Sequence, residues 1–223
     1  MGKSSFVGLS LLSLLLALPA FAWEGVVDGN RLACDFVADG IVRVQYALGD
    51  KLQDNGTGVV LKRLDQPRRE GAPTTFSRGN LSVTVDPTTG RIVFTEADTG
   101  RILLAESATV PHAGKRVNAG KTTQYQVKFN WQKDESLYGL GQHIEDYLDL
   151  RGKQQFLTQH NLKVAVPVLV STRGYGLLFD AGSAMRFDDR EGAGVLRLKR
   201  RRNWTTTSCT DPNSMLSSRV TAN

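Results

Sequence analysis

The chain has 223 residues, 40% of them hydrophobic, and a formal charge of +6. Four arginines and one aspartate in 200–223, with Lys3, hold four of those six charges; the body is near neutral and carries no basic stripe interleaved with aromatics, which excludes a nucleic-acid partner. The three histidines, His112, His143 and His160, lack ligand spacing, and Cys34 and Cys209 form neither a CxxC pair nor a disulfide framework, so no metal is expected.

The N-terminus reads as a secretory signal: Lys3, an apolar run from Phe6 to Leu18, Pro19, and the small-x-small pattern Ala20-Phe21-Ala22. The run is too short to cross ~30 Å of hydrocarbon. Residues 1–22 are expected to be removed on export to the periplasm or the extracellular space, leaving Trp23 first and no membrane contact.

From Arg31 the apolar residues alternate. Leu32, Cys34 and Phe36 precede Asp39-Gly40, and Val42, Val44, Tyr46 and Leu48 follow it, which predicts a β-hairpin. Residues 50–58 read as a loop, Val59 to Leu64 as a short strand, and the proline-bearing stretch Gln66 to Pro73 as a surface loop. Leu81, Val83 and Val85 alternate up to Asp86-Pro87-Thr88-Thr89-Gly90; Ile92 and Phe94 lead to Asp98-Thr99-Gly100, and Ile102 to Ala105 follows. Two successive hairpins make an antiparallel meander. Pro111 to Lys121 reads as a loop, after which Tyr125, Val127, Phe129 and Trp131 alternate with polar residues. The only helical signal in the body is a turn over Glu145 to Asp149. Short strands between turns, with no long repeat, predict an all-β antiparallel sandwich.

The stretch Leu137–Asp180 organises the rest. Tyr138-Gly139-Leu140-Gly141-Gln142 leads into a polar loop, Val164, Val166, Val168 and Val170 alternate in a strand, and Arg173-Gly174 turns the chain into Tyr175 to Phe179. This sequence, with the preceding meander, resembles the N-terminal β-sandwich of family 31 glycoside hydrolases, in their α-xylosidase-like branch, over most of Leu32 to Phe187. The resemblance implies a galactose mutarotase-like supersandwich over 23–199. It also implies a parent reaction: retaining hydrolysis of α-xylosidic or α-glucosidic bonds in oligosaccharides.

That reaction needs two carboxylates about 5–5.5 Å apart, which the family carries on a (β/α)8 barrel of about 250 residues. Only 36 residues follow Phe187, so the chain is expected to be inactive alone and no catalytic residue carries over. The family's sandwich loop that reaches toward the sugar site corresponds here to Gln142, His143, Asp146, Gln159, His160 and Asn161. Other members have Asn-Thr-Asp where this chain has Asn161-Leu162-Lys163. Tyr138, Tyr147, Tyr175 and Trp131 are candidates for stacking on a pyranose or for the core. Asp188-Asp189-Arg190-Glu191 reads as a solvated face or a cation seat. No GxSxG elbow, Walker loop or Rossmann fingerprint is present, so no cofactor is expected. The expected partner is an oligosaccharide, bound weakly. Two other readings stand beside this one: a free-standing carbohydrate-binding sandwich, and a mutarotase-like epimerase using His143 and Glu145 as acid and base.

After Leu198 the alternation gives way to Arg200-Arg201-Arg202 and a Ser/Thr/Asn stretch. Codons for 203–210, read one frame over, permit Leu-Asp-Tyr-Tyr-Phe-Val-Tyr, an alternating strand. Residues 200–223 are therefore expected to be an unstructured tail produced by a frameshift.

Overall fold

The computed structural model describes residues 22–48, 52, 68–70, 74–106, 116–117, 122–180, 183–192, 194–200 and 204–209. Among these there is no helix. The strands are β1 (Ala22–Val27), β2 (Asn30–Ala38), β3 (Ile41–Leu48), β4 (Arg68–Glu70), β5 (Thr75–Arg78), β6 (Leu81–Val85), β7 (Ile92–Glu96), β8 (Ile102–Glu106), β9 (Arg116–Val117), β10 (Thr122–Asn130), β11 (Leu137–Gln142), β12 (Gln154–Leu157), β13 (Val164–Ser171), β14 (Tyr175–Asp180), β15 (Met185–Asp188), β16 (Gly194–Arg200) and β17 (Trp204–Cys209). One sheet runs β11-β13-β14-β17-β3-β2-β1-β4; the other runs β12-β15-β16-β10-β8-β7-β6-β5, with β9 beside β10.

The two sheets bury their facing apolar rows against each other, the arrangement expected of a β-sandwich. From the first come Leu32, Cys34, Phe36, Val42, Val44 and Tyr46, and from the second Leu81, Val83, Ile92, Phe94, Val127 and Phe129. Aromatic contacts cross the gap. Phe36 meets Phe76 edge-on at 5.7 Å, and Phe129 meets Phe179 at 6.5 Å while stacking on Trp131 at 5.1 Å. Side chains alternate with period two, so the predicted hairpins β2–β3, β6–β7 and β7–β8 form where the apolar alternation placed them.

Several local expectations are corrected. Within the predicted loop Gln66 to Pro73, Arg68–Glu70 pair in parallel with β1, because that strand offers a free edge beyond β2. Arg116–Val117, inside the predicted loop Pro111 to Lys121, fold back on Thr122 and Thr123. The turn at Glu145 to Asp149 is a series of bends, with the Tyr147 amide bonding the Glu145 carbonyl at 2.9 Å instead of closing a helical turn. In β13, where the alternation named no buried face, Leu169 and Ser171 are buried, whereas Val164, Val166 and Val170 are exposed. The acidic loop at 188–191 is a solvated face only at Arg190 and Glu191. Asp189 is 1% exposed and saturated by Trp131, Arg151 and Gly152, while Asp188 pairs with Arg186 and Arg190.

The expected unstructured tail is also corrected in part. Trp204–Cys209 form β17, paired to β14 on one side and β3 on the other. Without it those two strands would each present a row of unpaired backbone groups inside the sheet. The strand predicted for Val59 to Leu64, the signal segment and residues 210–223 lie outside the described residues.

Candidate functional site

β11 is an edge strand whose backbone cannot be regular. Its register against β13 shifts between Gly139 and Gly141; φ is +107° and +105° at the two glycines and +61° at Leu140 between them. A Cβ on Gly141 would lie 1.9 Å from the Val164 carbonyl oxygen, and one on Gly139 2.4 Å from that of Val168. Only glycine permits this approach. The kink buries Leu140 and carries Gln142 and His143 out into the loop at 143–149.

The base of that loop is clamped. Asp149 Oδ1 accepts the amides of Leu137 at 3.1 Å and Arg151 at 3.0 Å. Arg151 donates to the carbonyls of Glu135 and Gln132 and to buried Asp189. Asp189 also takes the Trp131 indole N–H at 2.9 Å and the Gly152 amide at 2.8 Å. Glu135, buried beside this hub, accepts from Ser171 Oγ at 2.5 Å, from the Tyr175 hydroxyl and from the Gln132 amide.

Between β11 and the loop lies a cleft of about 320 Å³. Tyr138, Gly139, Gly141 and Gln142 form one side, His143, Glu145, Tyr147 and Leu148 the other, with Leu150 and Gln155 between them. The Tyr147 hydroxyl donates to the Gln154 carbonyl at 3.0 Å and accepts from Gln155 Nε2 at 2.8 Å. Gln155 Oε1 is buried with no donor. His143 Nε2–H donates to the Leu140 carbonyl at 2.8 Å; a carbonyl can only accept, so in the neutral ring Nδ1 is an acceptor, and it too is buried without a partner. Glu145 bonds Lys163, which holds its carboxyl below the usual range, while burial raises the Tyr147 phenol.

Of the six residues singled out in the sequence, Gln142 and His143 line the cleft; Asp146 is exposed and outside the lining. Gln159, His160 and Asn161 form a separate exposed turn before β13. There Gln159 Oε1 accepts the Ala165 amide at 3.1 Å, and His160 bonds Leu162 and Lys163. Lys163 ties that turn to the cleft through Glu145. The structure also separates the aromatic candidates: Trp131 and Tyr175 are core, Tyr138 and Tyr147 line the cleft. Gln155 was missed, although its place between outward Gln154 and Phe156 is the period-two signal of an inward residue. His143 and Glu145 do not pair. Each is committed elsewhere, so the acid-base couple required of an epimerase is not assembled.

Residues 31–188 match the family model for the glycosyl hydrolase 31 N-terminal galactose mutarotase-like domain. The chain belongs to this family. It is 29% identical over 167 residues to an α-xylosidase of Saccharolobus solfataricus, spanning 68% of this chain and 22% of that one. A family 31 glucosidase of Pseudescherichia vulneris is 41% identical over 61 residues, 27% of this chain and 12% of its own. Among solved structures, a family 31 α-xylosidase from Xanthomonas citri superposes with a TM-score of 0.60 at 27% identity, over 74% of this chain and 19% of that one. One from a soil metagenome, complexed with xylose, superposes at 0.69 over 87% of this chain and 32% of its own; at 18% identity it shows the fold alone. The family 31 domain described here thus spans about a fifth to a third of the length of these xylosidases.

Proposed function

We propose that this family 31 domain is the exported, non-catalytic sandwich of a retaining α-glycosidase acting on α-xylosidic or α-glucosidic bonds, and that its β11 cleft contacts the carbohydrate. The disposition of the carboxyl groups carries the non-catalytic reading. Retaining hydrolysis pairs a nucleophilic carboxylate with a carboxylic acid of raised pKa across the scissile bond. At the cleft, Glu145 is held ionised by Lys163, so it cannot serve as that acid. The described carboxyl group with a raised pKa is Glu106, at about 8, and it is sealed in the core. Asp189 and Glu135 are consumed by buried hydrogen bonds.

The cleft supports carbohydrate contact by its chemistry. Two buried acceptors without donors, Gln155 Oε1 and His143 Nδ1, suit a ligand rich in O–H groups, and Tyr138 and Tyr147 offer apolar faces for a sugar ring. Against a xylo-oligosaccharide, calorimetric titration of the purified chain is expected to give millimolar or weaker affinity, about 4 kcal/mol or less. Gln155→Leu should abolish it, and aryl α-xylosides and α-glucosides should show no turnover. Hydrolysis by this chain that survives further purification would overturn the non-catalytic reading. Binding indifferent to Gln155→Leu would overturn the role of the cleft.

A further inference from the structure

The orientation of the Gln155 amide is set from outside the cleft. Gln155 is 1% exposed, and its Nε2 donates to the Tyr147 hydroxyl at 2.8 Å and to Glu145 Oε2 at 3.5 Å. An amide nitrogen carries two N–H donors and both are spent here, so Oε1 is the atom left for a ligand. The Tyr147 hydroxyl favours the same order, because its one hydrogen goes to the Gln154 carbonyl. Glu145 imposes it only while ionised. A carboxylate accepts and never donates, whereas a carboxylic acid offers an O–H to Oε1 and lets the amide turn over.

We propose that Lys163 is a positioning residue for this cleft: by pairing with Glu145 it keeps the Gln155 amide turned with Oε1 toward the ligand. The pair joins the turn before β13 to the loop at 143–149, and the Lys163 side chain is only 12% exposed. Lys163 is outside the cleft lining, so it acts through Glu145. Its hydrogen bond is the main reason the Glu145 carboxyl titrates below the usual range, and the ionised carboxylate in turn claims Nε2 of Gln155. Other members of the family have aspartate in this position of the turn, which would repel Glu145; the relay belongs to this chain. The proposal rests on the reading of the cleft as a sugar contact, and its test keeps the two apart.

Without any sugar, the NMR resonances of the Gln155 side-chain amide are followed in the full chain between about pH 6 and about pH 4. In Lys163→Met they should move as Glu145 regains its ordinary value of 4.5, and in the wild type and Lys163→Arg they should move less. His143, Asp146, Tyr147, Asp149, Lys153 and His160 lie on the segments around the pair. All six are common to these proteins, so the difference between the profiles belongs to Glu145. With a xylo-oligosaccharide at about pH 4, only about a quarter of Glu145 in Lys163→Met is ionised, so its affinity should be about fourfold below that expected of a fully ionised site. The wild type should lose less, and the gap should close toward neutral pH. Once Glu145→Gln is in place, Lys163→Met should make no further difference. Amide resonances that move alike in wild type and Lys163→Met, or Lys163→Arg behaving as Lys163→Met does, would overturn the proposal. Sugar binding indifferent to Gln155→Leu would overturn the sugar reading and leave the resonances to decide the relay.

Discussion

A carboxyl group in an apolar core must either lose its charge or find a cation, and Glu106 has taken the first course. It is 5% exposed, accepts the Tyr46 hydroxyl at 2.6 Å across the sandwich and the Ile92 amide at 3.3 Å, and burial is the main cause of its pKa of about 8. Nearby Cys34 is a free, buried thiol and adds no positive charge. Between the ordinary value of 4.5 and about 8 the native state holds a proton that the unfolded chain releases. The stability this proton contributes is complete below 4.5 and is lost as pH rises through about 8, at roughly 1.4 kcal/mol per pH unit. Urea titrations should therefore show wild-type stability falling from about pH 5 to about pH 8, and Glu106→Gln should flatten that slope. A wild-type slope that persists unchanged in the variant would assign the effect to other groups. Glu145 and Asp188, whose pKa values are lowered by Lys163 and Arg190, act in the opposite sense and in a more acid window.

At the scale of the element, β11 shows how one strand serves as both sheet edge and cleft wall. Its two glycines let the backbone approach β13 and then turn Gln142 and His143 away. Gly141→Ala is expected to destabilise the chain by at least ~1–3 kcal/mol, since it adds both a strained φ and a clash with Val164. A melting temperature equal to wild type would refute this. β17 makes the complementary point. Thr206 lies in register with Val44 and Phe179, and Ser208 with Val42 and Leu177, all core residues. A polar sequence thus occupies a strand position whose neighbours call for apolar side chains. The other reading frame would force Leu and would permit Tyr and Phe at alternate positions of such a strand. Long-range pairing on both sides stands in for the missing local signal.

For the molecule as a whole, the N-terminal strand is where the proposed export would meet the fold. Trp23 is 2% exposed, paired with Cys34, and stacked over Gly25, so β1 is an integral part of the sandwich. Cleavage after Ala22 would leave that strand intact from Trp23, whereas a cut further downstream would remove a core side chain worth about 1.5–3 kcal/mol or more. N-terminal sequencing of exported material should begin at Trp23. Exported protein that began at Met1, or beyond Val27, would contradict this.

What the sequence determined by itself was local: the β2–β3 hairpin and the β6–β7–β8 meander, because period-two alternation and turn residues act over a few positions. Asp28-Gly29 is equally local. Its two positive φ values, 50° and 72°, make the β1–β2 turn. Periodicity could not say which face of β13 meets the core, since Val164 to Val170 alternate with Ala165, Pro167 and Leu169, which are apolar too. The kinked β11 decided that, burying Leu169 and leaving the valines outside. The tertiary structure alone brought Gln155 beneath Tyr147, drew Asp189 under Trp131 and Arg151, and set the turn at 159–161 apart from the cleft. The Asp189 contacts join residues 58 and 38 positions apart, and even the Gln155–Tyr147 pair, eight apart, carries no period-based signal in the sequence.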